Sequence, residues 1–236
     1  MKIIDKLKAK NEDIFGHRQP TIVCLGDSVT QGCFELESGT NPVFDPMSGY
    51  VEKMRAILLR HFPASSPAII NAGRSGGRAD GGLERLERDV LSFQPDLVTV
   101  CFGLNDATRG KDYLPTYSGA LKEIFDRVQG YGAELIFMTP NLRGTNPDMT
   151  GMDETTKKAI SNIAESERRG DLELFLEEAK KLCRERNIPV CDCHKKWKEM
   201  RDAGVDVHTL LSNQINHPTR EMHNLFAEEL VKTMFR

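Results

Sequence analysis

Four short stretches of this 236-residue chain hold residue types that can attack a carbonyl group and stabilise what results. Gly26-Asp27-Ser28-Val29-Thr30 supplies a hydroxyl, and Asn71-Ala72-Gly73-Arg74-Ser75-Gly76-Gly77 a turn whose glycines expose backbone. Gly103-Leu104-Asn105-Asp106 adds a side-chain amide. A hydroxyl becomes a nucleophile beside a base, and a developing oxyanion is held by N–H donors aimed at it. Of the six histidines, His217 has the best claim as base, because Pro218 biases it toward an extended conformation in the loop before a final helix. Each stretch also has a plainer reading. Ser28 and Asn105 are favoured helix N-caps, and Gly73, Gly76 and Gly77 suit a tight strand-to-helix turn. Neither G-x-G-x-x-G nor a phosphate loop with its lysine occurs there, and Thr30, two residues after Ser28, excludes the G-x-S-x-G elbow.

These turns need strands to hold them. Apolar β-rich runs cover Thr21–Leu25, Ala68–Asn71, Leu97–Phe102, Leu135–Thr139 and Ile188–Cys191. Between them, Tyr50–Phe62, Gly82–Phe93, Tyr117–Val128 and Leu172–Arg186 space apolar residues three and four apart, as a helix laid on a sheet requires. A last helix is expected from Pro218 as its first helical residue, with Met222, Leu225, Phe226 and Leu230 on one stripe. The alternation predicts an α/β fold: a flavodoxin-like three-layer α/β/α sandwich with a five-stranded parallel sheet and crossover helices, one domain over residues 1–236. Ligands of such sheets bind beyond the carboxyl ends of the strands, where the first three stretches fall. Two segments interrupt the alternation, Phe34–Ser48 and Asn141–Gly170. Both are expected as long loops projecting from that same edge.

Composition narrows the function. Lys and Arg total 32 against 35 Asp and Glu, a net charge of -3, so no broad positive field attracts nucleic acid. The N-terminal MKIIDKLKAKNEDIF has charges every few residues and no apolar signal core, and nothing resembles a membrane span. A cytoplasmic protein without a membrane partner is expected. Cys24, Cys101 and Cys191 fall in apolar strands and, with Cys33, Cys183 and Cys193, are expected as reduced thiols. Cys191-Asp192-Cys193-His194 matches no paired zinc-ligand spacing, so neither metal nor cofactor is expected. His61, His194 and His223 read as helix-associated packing or surface residues, Asp27 and Asp106 as loop-ordering acids, and Trp197 in HKKWKEM as packing.

Together, GDSVT, NAGRSGG, FGLND and NHP resemble, in order, the four blocks of the SGNH hydrolases, also called GDSL esterases and lipases. The resemblance spans most of the chain. It implies Ser28 as nucleophile and His217 as base. It also implies an oxyanion hole built from the Ser28 and Gly76 N–H groups and the Asn105 amide, serving ester hydrolysis through an acyl-serine. The family carries Asp three residues before its histidine, whereas Gln214 stands there. A carboxylate normally orients the imidazole, but an amide oxygen also serves, so Gln214, Asn213 or a main-chain carbonyl is expected to orient His217. Asp206 with His208 is the rival acid or pair.

The two excursions are polar, rich in Asn, Thr, Asp and Glu, without the apolar surface of an interfacial lipase. The expected substrate is a small-molecule ester, a short acyl group such as acetyl on a carbohydrate or other polar compound. The alternatives are a lysophospholipase or thioesterase of the same family, or a hydrolase-like binding module that lost competence with its Asp. Oligomeric state has no signature in the sequence.

Overall fold

The computed structural model describes residues 1–37 and 41–236, so residues 38–40 of the first excursion lie outside the described residues. The elements in order are α1 (Lys2–Glu12), β1 (Thr21–Gly26), α2 (Ser28–Gln31), β2 (Cys33–Glu37), β3 (Asn41–Phe44), α3 (Tyr50–His61), β4 (Ala68–Gly73), α4 (Ala79–Glu84) and α5 (Leu86–Asp89). There follow β5 (Leu97–Cys101), α6 (Leu104–Ala107), α7 (Leu114–Tyr131), β6 (Glu134–Met138), α8 (Glu154–Arg168), α9 (Asp171–Glu185), β7 (Val190–Cys191), α10 (Cys193–Asp202) and α11 (His223–Met234).

Five of the strands form a parallel sheet in the order β4-β1-β5-β6-β7, the flavodoxin-like order expected of the alternation. Every residue of β1 and β5 is buried because both are central, while edge strand β4 buries only part of its length. The crossover from β1 to β4 runs one way along the sheet and those from β5 onward run the other. Right-handed connections therefore put α3 on one face and α7 and α9 on the opposite face. Consistently, α3 packs on α11, and α4, α7 and α9 lie side by side. The reversal falls between β1 and β5, so the loops leaving them diverge and open a crevice at their carboxyl ends.

The sheet holds together closely at that crevice. Gly26 of β1 is in register with Gly73 of β4, and a Cβ on Gly73 would stand 2.2 Å from the Gln31 backbone nitrogen. Beneath them the buried Arg85 donates to the Ala72 carbonyl at 2.7 Å and the Gly26 carbonyl at 3.0 Å. This inward turn is where the single helix expected over Gly82–Phe93 breaks: α4 and α5 flank Arg85, and Leu91–Phe93 is a 3-10 turn.

Other differences concern the segments outside the alternation. The expected loop Phe34–Ser48 contains the antiparallel hairpin β2–β3 and a 3-10 turn at Pro46–Ser48, and Asn141–Gly170 contains α8. Pro218 is not the first residue of the last helix. It forms an antiparallel bridge with Leu211, Thr219 N–H bonds the Leu210 carbonyl, and α11 starts at His223. The N-terminal segment forms α1, which buries Ile3 and Leu7 and whose Lys2 and Ile3 N–H groups bond Glu134. All six cysteines are buried free thiols, and Trp197 is wholly buried. Among the described residues no helix is long and apolar enough to cross a membrane.

Arg85→Met should lower stability by about 2–4 kcal/mol, because the Ala72 carbonyl loses its guanidinium donor and the Gly26 carbonyl keeps only the Arg74 N–H. Urea unfolding followed by circular dichroism measures it, and a change below about 0.5 kcal/mol would contradict this role for Arg85.

Candidate active site

The turn after β1 places Ser28 by capping from the residue before it. Buried Asp27 is the N-cap of α2 and accepts the Val29 N–H at 3.0 Å, so Ser28 is the first helical residue and its hydroxyl is free for other work. After β5 the cap is Gly103, at φ 134°, and Asn105 is the second residue of α6. The plain capping reading of Ser28 and Asn105 therefore does not hold. Asp106 orders the same turn, accepting the Gly103 N–H at 3.0 Å and the Ala79 N–H at 2.9 Å. Burial pushes both Asp27 and Asp106 up to about 7.

The glycine turn after β4 comes alongside. Asn105 donates one amide N–H to the Gly77 carbonyl at 2.9 Å and meets Asp27 only at 3.5 Å. A Cβ on Gly77 would lie 3.6 Å from the Asp27 Cα, so this turn sits directly against the residue preceding Ser28. Gly76, at φ 70°, faces open space, and its N–H has no backbone partner among the described residues. Asn71 fastens the turn by accepting the Gly73 N–H and donating to the Thr30 carbonyl.

His217, 189 positions from Ser28 in the chain, brings Nε2 to 3.0 Å from Ser28 Oγ. Its Nδ1 lies 2.7 Å from the main-chain carbonyl of Phe34. A carbonyl only accepts, so the proton sits on Nδ1 and Nε2 presents its lone pair to the Ser28 hydroxyl. Burial holds the imidazole below its ordinary value of 6.5, partly opposed by the Phe34 hydrogen bond, so the ring is neutral at neutral pH.

Neither amide expected to orient the imidazole touches it. Gln214, at φ 56°, accepts the Asp148 N–H with its side-chain oxygen. Its carbonyl lies so close to Gly144 that a Cβ there would stand 2.0 Å away. Asn213 acts on the backbone: its Oδ1 collects the N–H groups of Ile215, Asn216 and His217 at 2.9–3.0 Å. Of the three acceptors expected, the main-chain carbonyl occupies Nδ1, and no side-chain pattern could have named Phe34. The rival pair Asp206 and His208 is 3.0 Å apart, but His208 Nε2 accepts the Thr145 and Asn146 N–H groups and so secures that loop away from Ser28. His194 and His223 are buried, and burial pushes them down to about 4 and about 3.

The profile of the GDSL-like lipase/acylhydrolase family matches residues 24–225, a span from β1 into α11 that holds all four stretches. The chain belongs to this family. It is a carboxylic ester hydrolase. Over 155 residues it is 27% identical to an acetylxylan esterase of Geobacillus stearothermophilus, covering 61% of this chain and 71% of that protein. A solved structure of a catalytic mutant of an acetylxylan esterase from the same organism superposes with a TM-score of 0.67 at 21% identity, covering 91% of this chain and 94% of the other. A lipase/acylhydrolase from Enterococcus faecalis also superposes at 0.67, with 20% identity and coverage of 91% and 95%. These superpositions confirm the five-stranded α/β fold.

Two substitutions separate the residues of the 213–217 loop in this hydrolase. Gln214→Ala should leave ester-hydrolysis kcat/KM within about twofold, whereas Asn213→Ala, which frees three N–H groups ahead of His217, should cost about tenfold or more. Steady-state assays on one ester decide it. A large loss in Gln214→Ala alone would mean that its side chain reaches the imidazole during turnover.

Proposed function

We propose that the protein removes a short acyl group, acetyl above all, from a carbohydrate or another small polar ester through an acyl-Ser28 intermediate. The observation that carries the reading is the Ser28–His217–Phe34 carbonyl relay, in which Nε2 faces the hydroxyl and Nδ1 is held by an acceptor. His217 Nε2 takes the hydroxyl proton as Ser28 Oγ attacks the ester carbonyl carbon. The oxyanion receives hydrogen bonds from the Ser28 and Gly76 N–H groups and from the second amide hydrogen of Asn105. Collapse expels the alcohol, which takes the proton from His217. Water, deprotonated by the same nitrogen, then releases the acid and restores Ser28.

The neutral acceptor has an energetic consequence. In serine proteases an amide in place of the triad carboxylate costs about ten-thousandfold in turnover, because it favours the wrong tautomer. The Phe34 carbonyl enforces the right tautomer and forgoes only the charge that stabilises the imidazolium. The acetyl preference draws support from the acetylxylan esterase relative and from the polar character of residues 141–153 beside the His217 loop, to which Asn141 and Gly144 are bonded.

Wild type and Ser28→Ala should be compared on p-nitrophenyl acetate and p-nitrophenyl octanoate. The expected result is acetate hydrolysis that exceeds octanoate hydrolysis and disappears with Ser28. Equal rates in both proteins would remove Ser28 from the reaction, and faster octanoate turnover would redirect the reading to lysophospholipase or thioesterase chemistry.

The pH profile carries its own expectation. The base works unprotonated, so kcat/KM rises with pH through the His217 pKa, which burial without a neighbouring carboxylate sets below 6.5. The acid limb of acetate-ester hydrolysis should be centred below that value. A midpoint at or above 7 would mean that a carboxylate pairs with His217 in the working enzyme.

A further inference from the structure

The relay depends on a carbonyl carried by a segment outside the main sheet. Phe34 lies on β2 of a two-stranded hairpin, and a lone hairpin of this kind is marginally stable by itself. The pairing of β2 with β3 shifts register between Cys33 and Leu36, so Phe34 and Glu35 fall in an irregular stretch. Such bulges release main-chain groups from the ladder and re-aim them. The Phe34 carbonyl is thereby free to accept from His217, but its position then has to come from elsewhere.

Arg220, three residues past His217, supplies it. Its guanidinium bonds Glu35 through both terminal nitrogens, at 2.9 and 3.1 Å, and bonds Asp45 through Nε at 2.9 Å. Glu35 lies on β2 and Asp45 follows β3, so one side chain ties both strands of the hairpin to the His217 loop. The guanidinium carbon also sits 4.3 Å from the centre of the Phe34 ring, in cation–π geometry. The buried His223 packs on the same ring at 4.9 Å and accepts the Tyr50 N–H, which anchors the ring to α3 and α11. Arg220 and its carboxylates are about a third exposed, so these ion pairs contribute little to global stability. Their geometry instead spans the gap between base and acceptor.

We propose that Arg220, through Glu35, Asp45 and the Phe34 ring, is a positioning residue that holds the Phe34 carbonyl on His217 Nδ1. It accomplishes through the hairpin what a carboxylate in the histidine loop does directly. The proposal rests on the Ser28–His217 reading of the site, and the Ser28→Ala comparison tests that reading separately.

The experiment pairs kinetics with the tautomer of the ring. Arg220→Met, Arg220→Lys and the milder Glu35→Gln would be assayed on p-nitrophenyl acetate, and the His217 ring nitrogens read by NMR in protein carrying 15N-histidine. The expected result for Arg220→Met is kcat down about tenfold to a hundredfold with KM within about threefold, from a displacement on the order of 1 Å. In the same protein His217 should change from the Nδ1–H form to a mixture of tautomers. Arg220→Lys should recover part of the rate, since it keeps the charge but not the two-pronged contact with Glu35. If Arg220→Met does not fold, Glu35→Gln decides alone, with the same two readouts and a smaller loss. Unchanged kcat, or a fall in kcat with the Nδ1–H form intact, would overturn the proposal. The tautomer readout needs no turnover, so it judges the clamp even if Ser28 proves not to be the nucleophile.

Discussion

The hydrogen bond between His217 Nδ1 and the Phe34 carbonyl fixes which ring nitrogen faces Ser28, and with it the direction in which a proton can move. Imidazole is useful as a base only in one of its two neutral tautomers, and the energy separating them in a buried site is the energy of the group that meets Nδ1. A carbonyl does this without bringing a charge into the interior. Burial holds the ring below its ordinary pKa against the opposing pull of this hydrogen bond, and no carboxylate has to be desolvated beside it.

The acidic groups that the site does contain are used differently. Asp27 and Asp106 lie in the turns after β1 and β5 and are spent on backbone N–H groups, Val29 for the first and Gly103 and Ala79 for the second. They shape the two turns that face each other across the switch point of the sheet. With burial raising both toward neutrality, they are structural acceptors whose charge is partly suppressed. Glycine completes the arrangement: a Cβ on Gly26 would collide with the Thr30 side chain and one on Gly73 with the Gln31 backbone, so both let their strand ends close on α2. Ser28 and Asn105 therefore stand just beyond rigid strand ends, while His217 arrives on a loop fastened by Asn213, Asn141 and Ser212.

The strands were legible because a central parallel strand is apolar on both faces, which leaves a continuous run such as TIVCL or LVTVC in the sequence. Helices with one solvent face were legible for the complementary reason. The readings failed where a tertiary contact outweighed local pattern. Periodicity over Gly82–Phe93 suggested one helix, but Arg85 turns inward to satisfy two strand carbonyls and divides it. Pro218 suited a helix start, but its neighbours pair with the Leu210–Ser212 segment instead. The segment of β2 does alternate, Phe34-Glu35-Leu36-Glu37, but two apolar–polar pairs are too short to stand out as a strand beside a Gly- and Pro-rich continuation.

By itself the sequence determined the sheet, the strand-end turns, and the choice of Ser28 and His217 as the hydroxyl and imidazole that the fold brings within hydrogen-bond reach. Those are side-chain properties repeated in local patterns, and they survive without coordinates. Only the tertiary structure decided what orients His217. Gln214 occupies the position where an acid would be sought, yet a left-handed backbone turns its side chain to Asp148. The acceptor is a main-chain carbonyl 183 positions away from His217, delivered by a bulged hairpin and an arginine clamp. Every residue carries such a carbonyl, so no residue type marks this one. Its selection is a matter of position in space, which arises only when the hairpin folds over the carboxyl edge of the sheet.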